Sequence, residues 1–215
     1  MSIIRSMKKR AIHILISAAA LGFGLSGCST PKVTPQEKVA FERVKSWRST
    51  LDLSSLERRY DLPKGLLSAV MHQESAGKIR ARSPVGASGL FQIMPATARD
   101  LRLSDPHDPE PAAQAAARYL STLYKRYDGD LNLSLAAYNW GMGNVDRYKR
   151  QGYRGFDNMP QETRNYAPKL LAWRNIVSNP AAFGINIPKI EDDEYFEALN
   201  VTTPIDTSQA ARLAS

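Results

Sequence analysis

No stretch of this chain alternates apolar and polar residues for long enough to make a half-buried strand, whereas proline-opened segments rich in alanine and leucine recur along it. That contrast points to an all-α fold, α+β at most, with a minor β-ribbon. Thr34-Pro35-Gln36-Glu37 sets a capping threonine three residues before a glutamate, with proline at the first helical position. A helix starts there, with Phe41, Val44 and Trp47 supplying its apolar residues. A short helix is expected around Leu53–Tyr60, and Pro63 then opens the segment Lys64–Glu74. Met94-Pro95 begins a helix expected to run to about Leu103. Asp108-Pro109-Glu110 caps the alanine-rich segment Pro111–Tyr127, whose helix propensity is high. Asp130–Asn139, Asn144–Arg150 and Glu162–Val177 complete the helical candidates. The glycine-rich segment Ser83–Gly89 is expected to hold a short β-turn or ribbon, and no internal repeat is found.

Both ends differ from this body. Arg5, Lys8, Lys9 and Arg10 precede the apolar run Ala11–Leu25, the pattern of an export signal. The run is short for a membrane span, although an uncleaved anchor helix is the alternative. It ends in Leu25-Ser26-Gly27-Cys28, which resembles a bacterial lipoprotein signal. That resemblance implies removal of residues 1–27 and lipidation of Cys28, leaving residues 28–50 as a tether and leading helix. Buried acyl chains hold a protein on a membrane at about 0.8 kcal/mol per CH₂. Ser29, where an aspartate implies inner-membrane retention, implies the periplasmic face of the outer membrane. Cys28 is the only cysteine, so no internal disulfide can form, and three scattered histidines do not suggest a metal site. At the other end, residues 180–215 carry six acidic and two basic residues, net −4, against net +8 for residues 29–179. The acidic, proline-containing tail is expected to be poorly ordered; folding back over the basic body is the alternative.

The chemistry centres on Leu66-Leu67-Ser68-Ala69-Val70-Met71-His72-Gln73-Glu74-Ser75. On a helix, Leu67, Val70, Met71 and Glu74 share one face, so Glu74 ends an apolar stripe. It also lies in the last turn before Gly77, where the helix dipole disfavours a negative charge. Desolvation and dipole both favour the neutral acid, the form a general acid requires. A carboxylate in water at a frayed helix end is the plainer alternative.

Four blocks then follow in order: Glu74-Ser75; Ser83-Pro84-Val85-Gly86-Ala87-Ser88-Gly89-Leu90-Phe91-Gln92-Ile93-Met94-Pro95; Ala137-Tyr138-Asn139-Trp140-Gly141; and Glu162-Thr163-Arg164-Asn165-Tyr166. Together they resemble the lytic transglycosylases of the soluble (SLT) type, over roughly residues 55–175. Phe91 stands where the family often has methionine, and Ala112-Ala113-Gln114-Ala115-Ala116 where it often has Asn-Ile-x-x-Gly. The resemblance implies a lysozyme-like, goose-type-lysozyme-like helical domain over residues 51–179, with a glycan-binding cleft and no cofactor. It implies cleavage of the MurNAc-β-1,4-GlcNAc bond of peptidoglycan with closure of a 1,6-anhydro ring, Glu74 acting as acid and then as base. By the same carry-over, Ser83 and Gln92 hydrogen-bond the sugar, Met94 lines the cleft, Tyr138 orients the acetamido group or Glu74, and Asn139 holds the cleft wall. Glu162 becomes a buried supporting carboxylate near the cleft, and Tyr166 a secondary, structural residue.

Each of these has a structural alternative. Ser83 precedes a proline and can stabilise a turn, Met94 can be core, Asn139 can cap a helix, and Glu162 can complement a helix dipole. Competing functions are a muramidase that hydrolyses the same bond with water and a non-catalytic peptidoglycan-binding lipoprotein. The basic body permits a nucleic-acid partner on charge alone. An exported lipoprotein meets none, and the peptide carboxylates of the wall, with cell-wall machinery besides, are nearer partners.

Overall fold

The computed structural model describes residues 34–153 and 155–178. The export signal, Cys28 and the 180–215 tail therefore lie outside the described residues. Among the described residues the regular structure is helical: α1 Pro35–Thr50, α2 Leu53–Arg59, α3 Leu66–Ser75, α4 Pro95–Asp100, α5 Pro109–Arg126, α6 Leu131–Trp140, α7 Met142–Arg150 and α8 Gln161–Ser178. None of these helices is long and apolar enough to cross a membrane.

The capping box at Thr34 forms as expected. Glu37 N donates to Thr34 Oγ1 at 3.2 Å, and Thr34 N donates to the Glu37 carboxylate at 2.7 Å. The helix it starts buries Ala40, Phe41 and Val44 against α3, so α1 shares the core of the helices that follow. Several boundaries differ from the sequence expectation, three of them through the local backbone. α3 begins at Leu66 rather than Lys64, because Gly65 adopts φ +76° and turns the chain into the helix. There the carboxylate of the buried Glu57 accepts from Gly65 N and Leu67 N, both at 2.8 Å, and satisfies two donors that a helix start leaves open. α4 stops at Asp100 rather than Leu103, since Arg102 takes φ +54° and Leu103 N bonds back to Ala98 O. α7 starts at Met142, directly after the turn at Gly141, rather than at Asn144.

α3 is the centre of the molecule. It packs against α8, α1, α2 and α5, and Leu66, Leu67, Ala69, Val70 and Met71 are all buried. The alanines of α5, among them Ala112, Ala113, Ala116 and Ala117, are buried in the same core, where their small side chains let helices approach closely. A second cluster, built on Leu123, Tyr127, Ala136, Val145, Tyr148 and Met159, joins α5, α6 and α7 to the loop before α8. The segment 82–93 forms no strand; it closes on itself through two isolated bridges, Arg82 with Ser88 and Ser88 with Ile93.

Candidate active site

Glu74 lies at the end of the buried α3 face, as its spacing required, and is itself half-buried. α3 is followed by Ala76 and Gly77, both in the left-handed region. Their carbonyls are held from α1: Arg43 donates to Ala76 O at 3.1 Å and Trp47 Nε1 to Gly77 O at 3.0 Å. The last turn of α3 is thus anchored on the leading helix, which the sequence alone did not reveal.

Ser75, adjacent to Glu74, ties the helix to the glycine-rich segment. Its buried hydroxyl donates to Leu90 O at 2.8 Å and accepts from Gly77 N at 3.2 Å. The segment is braced internally by Ser83, whose Oγ accepts from Ala87 N at 2.9 Å while its N donates to Ala87 O at 2.8 Å. Gln92 adopts φ +47°, and its Nε2 donates to Ala81 O at 3.1 Å and Gly89 O at 2.9 Å. Ser83 and Gln92 are therefore turn braces in this structure, with the amide nitrogen of Gln92 already committed to backbone. Met94 is 40% exposed where the segment enters α4, which sets aside the core alternative for it.

Two tyrosines meet this arrangement from other helices. Tyr138 of α6 donates to Phe91 O at 2.8 Å, joining the AYN block to the glycine-rich block. Tyr166 of α8 donates to Glu74 Oε1 at 2.5 Å, across 92 residues of sequence. Tyr166 is thus a direct partner of Glu74, more than the secondary, structural residue expected of it. Asn139 links α6 to α8: its Oδ1 accepts from Thr163 Oγ1 at 2.9 Å and its Nδ2 donates to Glu162 at 3.3 Å. Glu162 corrects a sequence expectation. It is exposed rather than buried, because the first turn of α8 faces outward there while Thr163 and Tyr166 turn inward.

Burial pushes the Glu74 carboxyl up to about 7 from an ordinary 4.5; the hydrogen bond from Tyr166 works against that rise, and the nearby charge of Glu162 adds to it. Burial, with the charge of Glu74 next, holds the Tyr138 and Tyr166 hydroxyls well above the usual phenol value, so both remain donors. The result is a carboxyl that keeps a substantial protonated fraction near pH 7, bonded by one neutral phenol and within electrostatic reach of a second. It can give a proton to a leaving oxygen and then accept one, provided Tyr166 releases or shares its bond. Glu57 was not foreseen. Burial lifts it to about 7 as well, but its two backbone donors make it a clamp on the start of α3 rather than a group open to substrate. No cluster of three or more potential metal ligands occurs among the described residues.

Tyr166→Phe provides a test of this electrostatic arrangement. The hydroxyl stabilises the ionised carboxylate, so its loss should raise the Glu74 pKa. The alkaline limb of a pH–rate profile is expected to move to higher pH, with a lower plateau as the carboxyl loses its orientation. An unmoved limb would mean that the bond does not govern Glu74.

Comparison with known proteins bears on the domain as a whole. Residues 54–158 match the family described as Transglycosylase SLT domain. The chain is 31% identical over 154 residues to membrane-bound lytic murein transglycosylase D of Escherichia coli K12, covering 66% of this chain and 34% of that protein. It is 39% identical over 131 residues to the transglycosylase of Enterobacteria phage PRD1, covering 61% and 44% respectively. Among solved structures, the 70 kDa soluble lytic transglycosylase of Escherichia coli matches with a TM-score of 0.52 and 27% identity, over 68% of this chain and 30% of that one. An inactive mutant of lytic transglycosylase Slt from Pseudomonas aeruginosa matches with a TM-score of 0.51 and 28% identity, over 61% and 24%. The chain spans about a third of the length of its Escherichia coli K12 relative transglycosylase D. Residues 54–158 are therefore matched to an SLT-type lytic transglycosylase domain, with the lysozyme-like helical fold of these neighbours.

Proposed function

We propose that the protein is a peptidoglycan lytic transglycosylase that cleaves the MurNAc-β-1,4-GlcNAc bond and leaves a 1,6-anhydroMurNAc end. The observation that carries this is Glu74 itself: one half-buried carboxyl, raised to about 7, hydrogen-bonded by Tyr166 and with Tyr138 close by. Glycosidases generally pair two carboxylates, and substrate-assisted enzymes are the exception. The other carboxylate whose charge acts on Glu74, that of Glu162, is exposed and bound to Asn139, a poor position for a nucleophile.

The chemistry balances with one protein acid. Glu74 gives its proton to the glycosidic oxygen, the C1–O bond breaks, and GlcNAc leaves with a free hydroxyl. The substrate's 2-acetamido oxygen supports the cationic C1. The Glu74 carboxylate then takes the proton of the C6 hydroxyl as O6 bonds to C1, which closes the anhydro ring without water and restores the acid. Digestion of purified peptidoglycan followed by mass spectrometry tests this directly. Anhydro-muropeptides are expected, whereas products heavier by one water would identify a muramidase.

We further propose that Cys28 is acylated and holds the enzyme on the periplasmic face of the outer membrane. Export-signal features before a lone cysteine and the Ser29 that follows support this. Cys28→Ala is expected to accumulate as precursor or to leave the membrane fraction. Variant protein of mature size that still sediments with membranes would refute the anchor.

A further inference from the structure

The leading helix α1 lies ahead of the residues that match the family, yet it reaches the end of the helix that carries Glu74. Two residues past Glu74, Ala76 takes φ +51° and ψ +34°. A residue with a Cβ adopts that left-handed conformation at a cost, and keeps it only where its surroundings hold it. Gly77 follows at φ +73°. Each of the two carbonyls accepts from one side chain of α1: Arg43 Nη1 donates to Ala76 O at 3.1 Å, and Trp47 Nε1 donates to Gly77 O at 3.0 Å. The fit is close. A Cβ on Gly77 would lie 2.8 Å from Arg43 Cβ and 3.3 Å from the backbone atoms Arg43 C and Val44 N.

α1 is fixed in turn by the two helices that supply Glu74 and its partner Tyr166. The Phe41 ring lies 5.4 Å from the His72 ring of α3 and 5.2 Å from the Trp173 ring of α8, and those two rings are 3.8 Å apart. The contacts therefore close a circuit: α1 to the turn after Glu74, Glu74 to Tyr166, and α8 back to α1 through Trp173 and Phe41. Without its α1 donors the turn at Ala76 can relax toward an unstrained conformation, carrying Glu74 away from Tyr166.

We propose that Arg43 and Trp47 are positioning residues for Glu74, holding the left-handed turn after α3 and so setting where its carboxyl meets Tyr166. The proposal rests on Glu74 being the acid of the function above, and its test separates the two. Arg43→Met and Trp47→Phe each remove one donor and keep most of the bulk that packs. In the full chain, each is expected to lower kcat about ten- to a hundredfold, the scale of a displaced catalytic group, with KM unchanged. Burial is the largest cause of the raised Glu74 value, and a loosened turn opens the carboxyl further to water, so its pKa should fall from about 7 toward 4.5. Tyr166 and Glu162 of α8 and Tyr138 of α6, the titratable groups that act on it, are unaltered in both variants. The alkaline limb of the pH–rate profile should therefore move to lower pH, opposite to the shift expected of Tyr166→Phe. A loss of kcat that only follows the folded fraction, with the limb in place, would reduce α1 to a structural support and overturn the proposal. Parental kcat in both variants would overturn it as well. NMR titration of carbon-13-labelled glutamate side chains, with the Glu74 signal identified by its loss in Glu74→Gln, gives a readout free of turnover. The Glu74 midpoint should fall in both variants, and an unmoved midpoint would refute the positioning role. A parent enzyme that releases no muropeptides would instead refute the catalytic function, while the titration still decides whether α1 holds the Glu74 turn.

Discussion

Glu74→Gln is expected to lower the release of anhydro-muropeptides by at least about 10²–10⁴-fold, the usual worth of general acid–base catalysis. In the proposed mechanism one group serves both proton transfers, so the larger end of that range is expected. The amide keeps the shape of the neutral acid but has no proton to give to the glycosidic oxygen. It can still accept from Tyr166 through its carbonyl oxygen, so the contact between α3 and α8 survives. Stability should not fall. The folded-state value of about 7 lies above the ordinary 4.5, so between those limits the unfolded chain releases the Glu74 proton while the folded chain keeps it. That contribution is therefore fully present below pH 4.5 and is lost as pH rises through 7. The glutamine variant lacks it, so its stability should decline less steeply over this window. Some decline remains, because Glu57 is raised to about 7 in the same sense. Turnover at the parental rate would require a different acid.

Gly89→Ala is expected to be among the most damaging single changes outside the catalytic group. A Cβ at Gly89 would lie 1.8 Å from Pro106 O and 2.8 Å from Pro106 C, both backbone atoms that cannot swing aside. The residue also has φ +78°, unfavourable for a side chain. Gly152 has the same φ of +78° with nothing within 4 Å of its Cβ position, so Gly152→Ala measures the conformational part alone. That part costs about 1–2 kcal/mol. The clash should add enough that Gly89→Ala loses more than about 4 kcal/mol, in the range reserved for severe core damage. Thermal melts of both variants provide the comparison. Activity of Gly89→Ala should fall beyond the loss in folded fraction, since Gly89 O accepts from Gln92 and Leu90 O anchors Ser75 beside Glu74. Equal melting temperatures for the two variants would show that the loop at Pro106 yields.

Much of the helical plan is legible in the sequence. The capping box at Thr34, the proline before α4 and the Asp-Pro entry to α5 are local devices, written within three or four residues. The start of α3 and the end of α4 moved because one residue there, Gly65 or Arg102, takes a left-handed conformation. A non-glycine residue such as Arg102 gives no sign of that in its side chain. The burial expected of Glu162 came from family resemblance rather than from its own neighbours, and the outward turn of α8 at that point reversed it.

Glu74 became the candidate acid through two readings of the sequence: helical spacing sets it on the face of Leu67, Val70 and Met71, and the resemblance of the four blocks implies its role. Periodicity carries burial, and burial carries the raised pKa. The tertiary structure alone decided which groups face that acid. Tyr166 reaches Glu74 over 92 residues and Tyr138 reaches Phe91 over 47, separations across which no local pattern records a contact. It likewise decided that Ser83 and Gln92 spend their polar atoms on the turn, since those partners are backbone carbonyls and amides whose positions exist only once the segment has closed. Residue type and spacing determine what a side chain can do; only the packed chain determines what it is near.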